Sequence, residues 1–568
     1  SAARERFLRG MAVSPIPQLR TGFQALKRLT LVHFHALTDA YGRNQTWPAI
    51  GYSGPISASP AEPKPIIPLA IEHDTTLDCD VVVVGSGAGG GVVAGELALA
   101  GKAVVVLEKG GYYNEADFNQ LELDMFSRLY LDRGAAASKD QSLTVLAGSC
   151  LGGGTVINYT TSFRTPDRVR DEWARGFGLP IFANAEYDRS MDAVSARIGV
   201  NREHNQPSCR DEIMARGLGQ LGYHVDAMPR NAVGCTQDEV CGFCGFGCQG
   251  GHKRSTLKTY LQDAYDHGAR IVVRANADRV LIEGGRAVGV AATVRADDGR
   301  SYRLTVRAKA VVVACGTIHT PALLLRSGLR NPNIGRHLRL HPATGVWGLF
   351  DDEVRPWTGT MQALYSDQIA DMDGQGYGAK FETAPVHPSL AMLAHTWESG
   401  RQFKQLMTKF SHMSVVGVLL RDHDGGQITI NKQGLPVIRY RLSRRDTAHL
   451  RRGVREGAQM LIAAGAREVF TSQARWVSHR PGGGDTLDAF MRRADVVGYG
   501  PNRIALLTFH QMASCRMGAD PRTSAIDGEN ETHEVRGLYV TDASAFPTAS
   551  GVNPMLTIMA IAHRAAQA

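Results

Sequence analysis

Asp80-Val81-Val82-Val83-Val84-Gly85-Ser86-Gly87-Ala88-Gly89-Gly90 is a β-branched run followed at once by a glycine-rich loop. An unbroken apolar run of this kind suits a strand buried on both faces. Val92, Val93, Ala94, Leu97 and Leu99 then suit a helix closed by Gly101. Ala103 to Leu107 reads as a second strand, and Glu108 ends it. The unit is βαβ, and it predicts a Rossmann-like α/β domain. Gly85 permits the tight turn, Gly87 lets the backbone approach a pyrophosphate, and Gly90 lets helix pack on strand. Ala88 lies in the same loop, and the unpaired N–H groups and positive dipole end of the helix that follows suit the diphosphate. Glu108 stands 18 residues after Gly90, where a carboxylate receives the ribose hydroxyls of an adenine dinucleotide. That acid disfavours a 2′-phosphate, which leaves FAD or NAD.

Farther along, Gly148-Ser149-Cys150-Leu151-Gly152-Gly153-Gly154-Thr155-Val156-Ile157-Asn158 is a second glycine cluster. It can wrap backbone amides around a flavin and its diphosphate. Strands are expected over 271–275, 280–282, 287–295 and 309–314, and a strand edge over 537–542. Residues 341–500 alternate like strands, as in 427–431 and 436–440, and carry one clear helix over 445–464. Another helix starts near Met555. The simplest architecture is a discontinuous dinucleotide-binding domain over 78–165, 250–340 and 500–568. An α+β substrate domain is inserted over 166–249 and 341–499. Residues 1–77 form a helical extension and a linker rich in Pro, Ser and Ala.

The 568 residues carry 63 Lys+Arg against 55 Asp+Glu, a net charge of +8. Over this length the bias fits an anionic cofactor or membrane surface, and no basic stretch with interleaved aromatics argues for nucleic acid. No apolar run is long enough for a spanning helix. Residues 15–40 form an amphipathic pattern through Leu19, Phe23, Leu26, Leu29 and Leu37, beside Arg20, Lys27 and Arg28. This helix either docks on the main body or makes peripheral membrane contact. The expected location is cytoplasmic or peripheral to a membrane.

The two glycine segments, Gly316-Thr317-Ile318-His319-Thr320-Pro321, and a C-terminal pair of segments resemble the glucose–methanol–choline (GMC) oxidoreductase family, in the family's order. The resemblance runs from about residue 78 to the end. Trp47-Pro48-Ala49-Ile50-Gly51-Tyr52, Pro356 to Gln362, and Tyr377-Gly378 through His387-Pro388 are similar to its long-chain alcohol oxidase branch. The resemblance implies FAD, held through Gly148, Ser149, Gly153, Gly154, Asn158, Asp542, Pro554 and Met555, with Val280 as an adenine-side backbone contact. Some members attach FAD through a His that here is Ile157, so a non-covalent FAD is expected. The implied substrate is a small-molecule alcohol, long-chain or otherwise apolar, with oxygen or another acceptor reoxidising the flavin. A sterol, terpenoid or polymer alcohol is the alternative, and a lyase with a redox-idle flavin a further one.

Phe509-His510-Gln511-Met512-Ala513-Ser514-Cys515-Arg516-Met517-Gly518 resembles the family's His-x-x-Gly-Thr-Cys-x-Met segment, with Ala513-Ser514 for Gly-Thr. Downstream lies Gly551-Val552-Asn553-Pro554-Met555. The implied catalytic pair is His510 and Asn553. An imidazole can take the hydroxyl proton near neutral pH. A neutral amide can donate to the developing alkoxide.

Cys235, Cys241, Cys244 and Cys248 crowd into 14 residues. An iron–sulfur cluster is one reading. The spacing differs from the cluster segments of the wider family, and no Pro follows Cys248. Free thiols or a local disulfide are therefore expected, with no metal.

Overall fold

The computed structural model describes residues 2–237 and 241–567. Two β-sheets organise it. The first has seven strands. Thr75–Val84 lies at its centre, parallel to Val104–Leu107 on one side and Ser301–Val313 on the other. Arg270–Val272 extends it beyond Val104–Leu107, also in parallel. On its other edge Ser301–Val313 serves two partners along its length. Its first half pairs antiparallel with Arg286–Arg295, and Val311 to Val313 pair in parallel with Leu538–Val540. Val82, Val83, Val105, Val106, Val311 and Val313 are fully buried. That burial is what the unbroken valine runs call for, because helices cover a parallel sheet on both faces. The helix Ala88–Leu99 packs against Tyr260–Asp266 and Met555–Gln567.

The second sheet has nine strands, with Ala343–Leu349, Met413–Leu420 and Ala379–Glu382 adjacent and antiparallel. The helix Arg444–Ala463 covers it. Leu143–Val145 and Leu506–Thr508 pair with each other and join this sheet through Ala343. The sequence partition placed both in the dinucleotide-binding segments. Their short apolar runs gave no sign of which sheet would take them, since pairing is settled by partners far away in sequence.

The amphipathic helix forms over Pro17–Ala36, with most of its apolar stripe turned away from the core. Its buried residues are Arg20, Phe23, Gln24, Lys27, His35 and Ala36. Lys27 Nζ donates to the carbonyl of His395 at 2.8 Å. Leu19, Leu26, Leu29 and Leu37 are exposed, Leu29 at 63%. Of the five apolar positions in the expected stripe, only Phe23 is in the core.

Candidate active site

One cavity of about 440 Å³ runs between the two sheets. Its first wall is backbone. Gly85 has φ +99°, and a Cβ there would lie 2.2 Å from the Ala314 carbonyl oxygen. A Cβ on Gly90 would lie 1.9 Å from Gly85 O, so this glycine sets the close approach of helix to strand and does not itself line the cavity. Gly87 has open space beside it, and its helix begins with no side-chain cap. Gly153, at φ +53°, abuts Gly87 from the second glycine cluster. The unpaired N–H groups of a helix start, flanked by surfaces without side chains, fit a dinucleotide diphosphate.

Gly85, Gly87, Ala88, Glu108, Gly148, Ser149, Gly153, Gly154, Asn158, Asp542, Pro554 and Met555 all line this cavity. Several also hold the loops in place. Glu108 Oε2 accepts from Ser86 N and Oγ, at 3.1 and 2.5 Å, and Oε1 accepts from Gly110 N at 2.7 Å. Its remaining lone pairs are what a ribose hydroxyl would find. Asp542 accepts from Gly316 N at 2.9 Å and Ser544 N at 2.7 Å, pinning the start of the helix Gly316–Arg326. Asn158 Nδ2 contacts Met555 Sδ at 2.9 Å. Val280 is a correction. It is buried, its N–H donates to Ser327 Oγ at 2.8 Å, and Ala275, Asn276 and Ala277 of the same strand take the cavity wall instead. Residues near the start of the strand reach the wall, and Val280 lies past it.

At the other end, His510 and Asn553 line the same cavity. His510 follows the strand Leu506–Thr508, and its N–H donates to Thr508 Oγ1 at 3.1 Å. Burial, then Lys380, push its pKa down to about 4, so the ring is neutral at pH 7. Its Nδ1 lies 3.2 Å from Nδ1 of His341, whose Nε2 accepts from Gly551 N at 3.1 Å. Asn553 Nδ2 lies 3.4 Å from Oε2 of Glu382. That oxygen also accepts from Gln362 Nε2 at 2.9 Å, and Gln362 Oε1 in turn receives Thr161 Oγ1 at 2.7 Å. Burial raises the Glu382 pKa. Trp347, Val386, Leu390, Ala391, Ala394 and Val415 continue the wall in apolar side chains.

Sequence reasoning passed over His341, Glu382 and Gln362. Gln362 and Glu382 lie within stretches singled out for their resemblance, but nothing local marks any of the three as a site residue. Only their meeting with the C-terminal segments does. No disulfide joins the four clustered cysteines in the structure. They sit two by two, with Cys235 hydrogen-bonded to Cys241 and Cys244 to Cys248. Three residues between Cys235 and Cys241 lie outside those described. Among the described residues, no group of three or more His, Cys, Asp or Glu is arranged to hold a metal ion.

The N-terminal GMC oxidoreductase family model matches residues 126–343, and the C-terminal one matches residues 422–562. Two long-chain-alcohol oxidases of Arabidopsis thaliana are similar over nearly the whole chain. One is 34% identical across 96% of this chain and 79% of its own length; the other is 33% identical across 99% and 84%. Paromamine 6′-oxidase of Streptomyces fradiae is 26% identical across 86% of this chain and 91% of its own. Among solved structures, Aspergillus oryzae formate oxidase shares the fold with a TM-score of 0.64 at 15% identity, covering 87% of this chain and 98% of that one. Pyridoxine 4-oxidase from Mesorbium loti gives 0.61 at 17%, covering 86% and 98%.

Proposed function

This chain belongs to the GMC oxidoreductase family, as an FAD-dependent oxidoreductase acting on CH–OH donors, and we propose that its donor is a long-chain or otherwise apolar primary alcohol, oxidised to the aldehyde. The observation that carries this reading is the single cavity that joins the glycine loops to His510 and Asn553 and continues into an apolar wall. Bound FAD would supply the hydride acceptor at N5. The chain's own residues hold the hydroxyl oxygen beside His510 and Asn553, align the alkyl chain along Trp347, Val386 and Val415, and exclude water from both. The names of the similar Arabidopsis oxidases support both the long chain and oxygen as the final acceptor.

Anaerobic mixing with a series of primary alcohols, followed by flavin absorbance, tests it. Each added methylene buried is worth up to about 0.8 kcal/mol, nearly fourfold. Specificity, as kcat/KM, should climb along the series until the apolar wall is filled. A flat series, or a preference for sugars, sinks the substrate assignment. Admitting air should then release hydrogen peroxide in proportion to the alcohol consumed. Turnover only with an added artificial acceptor would make the chain a dehydrogenase.

The FAD is proposed to be non-covalent, because Ile157 offers no nucleophile where a covalent His would stand. Acid precipitation should leave the yellow colour in the supernatant; flavin fluorescence staying with the pellet refutes it. For the paired cysteines we propose thiols or local disulfides. Stoichiometric iron with acid-labile sulfide in the purified protein would overturn that.

We also propose that the helix Pro17–Ala36 rests on a membrane surface. Leu19, Leu26, Leu29, Phe34 and Leu37 are exposed on it, and Arg4 and Arg6 are exposed on the helix before it. Exposed leucines beside arginines suit an anionic bilayer. No described helix is long and apolar enough to cross a membrane. Leu29→Glu should weaken co-sedimentation with anionic vesicles several-fold while flavin reduction by a soluble short alcohol stays unchanged. Equal sedimentation of both proteins argues against this surface.

A further inference from the structure

A second concave surface lies apart from the central cavity: a groove of about 1100 Å³. Segments far apart in sequence build it, and hydrogen bonds stitch them together. Lys139 N donates to Ile438 O at 2.8 Å, and Leu338 and Gly426 exchange backbone bonds at 3.1 and 2.8 Å. Thr21 Oγ1, on the helix Pro17–Ala36, donates to Asp140 O at 2.9 Å.

The charge of this groove is one-sided. Lys139, Arg336, Arg339, Arg439 and Arg441 line it, against the two carboxylates of Asp140 and Asp424. Among the described residues none of the five cations forms an ion pair. The acids are engaged locally. Asp140 Oδ1 accepts from Ser138 Oγ at 2.7 Å and Ser142 Oγ at 2.8 Å, and Asp424 Oδ1 lies 3.1 Å from His423 Nδ1. Asp422 feels Arg339 through space but bonds Leu340 N, His341 N and Tyr440 Oη instead. The excess positive charge marks its neighbours. His337 lines the groove, and burial, then Arg516, Arg339 and Arg336, push its pKa down to about 4. Arg339 Nε is buried with no hydrogen-bond partner. Uncompensated positive potential with an open donor in a concave site suits an anion. The helix adds to it. Pro17 and Gln18 of its first turn line the groove, and Ile16 before them supplies no side-chain cap, so the positive end of the helix dipole stands there too.

The neighbouring surface says which anion. Leu19 follows Gln18 along the helix and is exposed, as are Leu26 and Leu29. A helix lying on a bilayer buries such side chains at the boundary of headgroups and acyl chains. The groove beside its first turn then stands at the level of the phosphates, whose oxygens match guanidinium forks in pairs. A phosphate monoester adds three acceptor oxygens and close to two charges, which suits a groove with five cations against two acids. We propose that this groove binds the phosphorylated headgroup of an anionic lipid and so docks the chain on membranes that carry it. This rests on the membrane reading of the helix Pro17–Ala36 above.

Co-sedimentation of the FAD-loaded protein with two kinds of vesicle tests it. Both are phosphatidylcholine, doped to equal surface charge with phosphatidylserine or with phosphatidylinositol 4-phosphate. The unmutated protein should prefer the second roughly tenfold, and Arg336→Gln with Arg439→Gln should abolish the preference, since each basic residue at an anionic membrane is worth about fivefold. Melting temperature and flavin reduction by a soluble short alcohol should not change. Arg189→Gln with Arg295→Gln removes the same charge from exposed positions outside the groove and should keep the preference. Leu29→Glu should weaken binding to both vesicles and also keep it. Equal binding of the unmutated protein to the two vesicles, or a preference that survives the groove substitutions, overturns this inference and leaves the membrane reading standing. Absence of binding to any vesicle overturns both. Soluble inositol 1,4-bisphosphate lacks the bilayer contact of the leucines and should bind roughly tenfold more weakly than the vesicle. Equal affinity would assign the groove to a free organic phosphate and overturn the lipid source.

Discussion

His510→Ala should reduce its flavin roughly 10²–10³-fold more slowly than the unmutated protein, with FAD still bound. The ring meets the rest of the chain through few contacts. Its Nδ1 bonds His341 and its backbone N–H bonds Thr508, so truncation removes a donor without dismantling the glycine loops that hold the cofactor. Asn553→Ala should cost less, roughly 10–10²-fold, because His510 remains beside the oxygen. It also takes away one of the two side chains that fix Glu382, the other being Gln362. Stopped-flow reduction under anaerobic conditions measures both. Two variants that reduce at the unmutated rate with FAD bound would place the chemistry elsewhere.

Trp173→Ala should destabilise the fold by about 3–5 kcal/mol, the usual cost of deleting a fully buried large aromatic. Trp173 is fully buried. Its ring lies 4.9 Å from that of Phe182 and 5.3 Å from that of Phe546, centroid to centroid. Its Nε1 donates to Thr548 Oγ1 at 2.8 Å, and Thr548 donates to Glu172 at 2.8 Å. Glu172 pairs with Arg421 at 2.6 Å, and Arg421 Nε holds the Ala549 carbonyl at 2.9 Å. The chain from Phe546 to Asn553 is therefore anchored through this tryptophan, and flavin reduction should fall together with stability. Trp173→Phe keeps most of the packing and loses the Thr548 bond, about 1 kcal/mol. Urea unfolding compares the two. An alanine variant as stable as the phenylalanine one would show that the cavity collapses and that packing there contributes little.

The parallel sheet was legible because burial on both faces leaves valine runs that no other setting explains, and Val81 to Val84 and Val104 to Leu107 pair in that way. The helices over Arg444–Ala463 and Met555–Gln567 matched their periodicity. The helix Pro17–Ala36 was legible as a helix, but not its orientation. Its leucine stripe suited docking on the body and contact with a membrane alike, and the His395 carbonyl that receives Lys27 leaves the leucines outward. Val280 failed for a related reason. A strand's place in a sheet is shared by all its residues, but the residue that reaches a cavity depends on where along the strand the cavity lies.

By itself the sequence determined the dinucleotide cradle and named His510 and Asn553, because both rest on local grammar. Glycines at fixed spacing are required by backbone close approach, and the proposed pair sits in short segments with recognisable neighbours. Only the tertiary structure decided what surrounds that pair. His341 and His510 are 169 positions apart, and Glu382 and Asn553 are 171 apart. His341 in turn receives the N–H of Gly551 at 3.1 Å, 210 positions away. Such partners meet only through the packing of distant segments, so no reading of residue types along the chain could have supplied them.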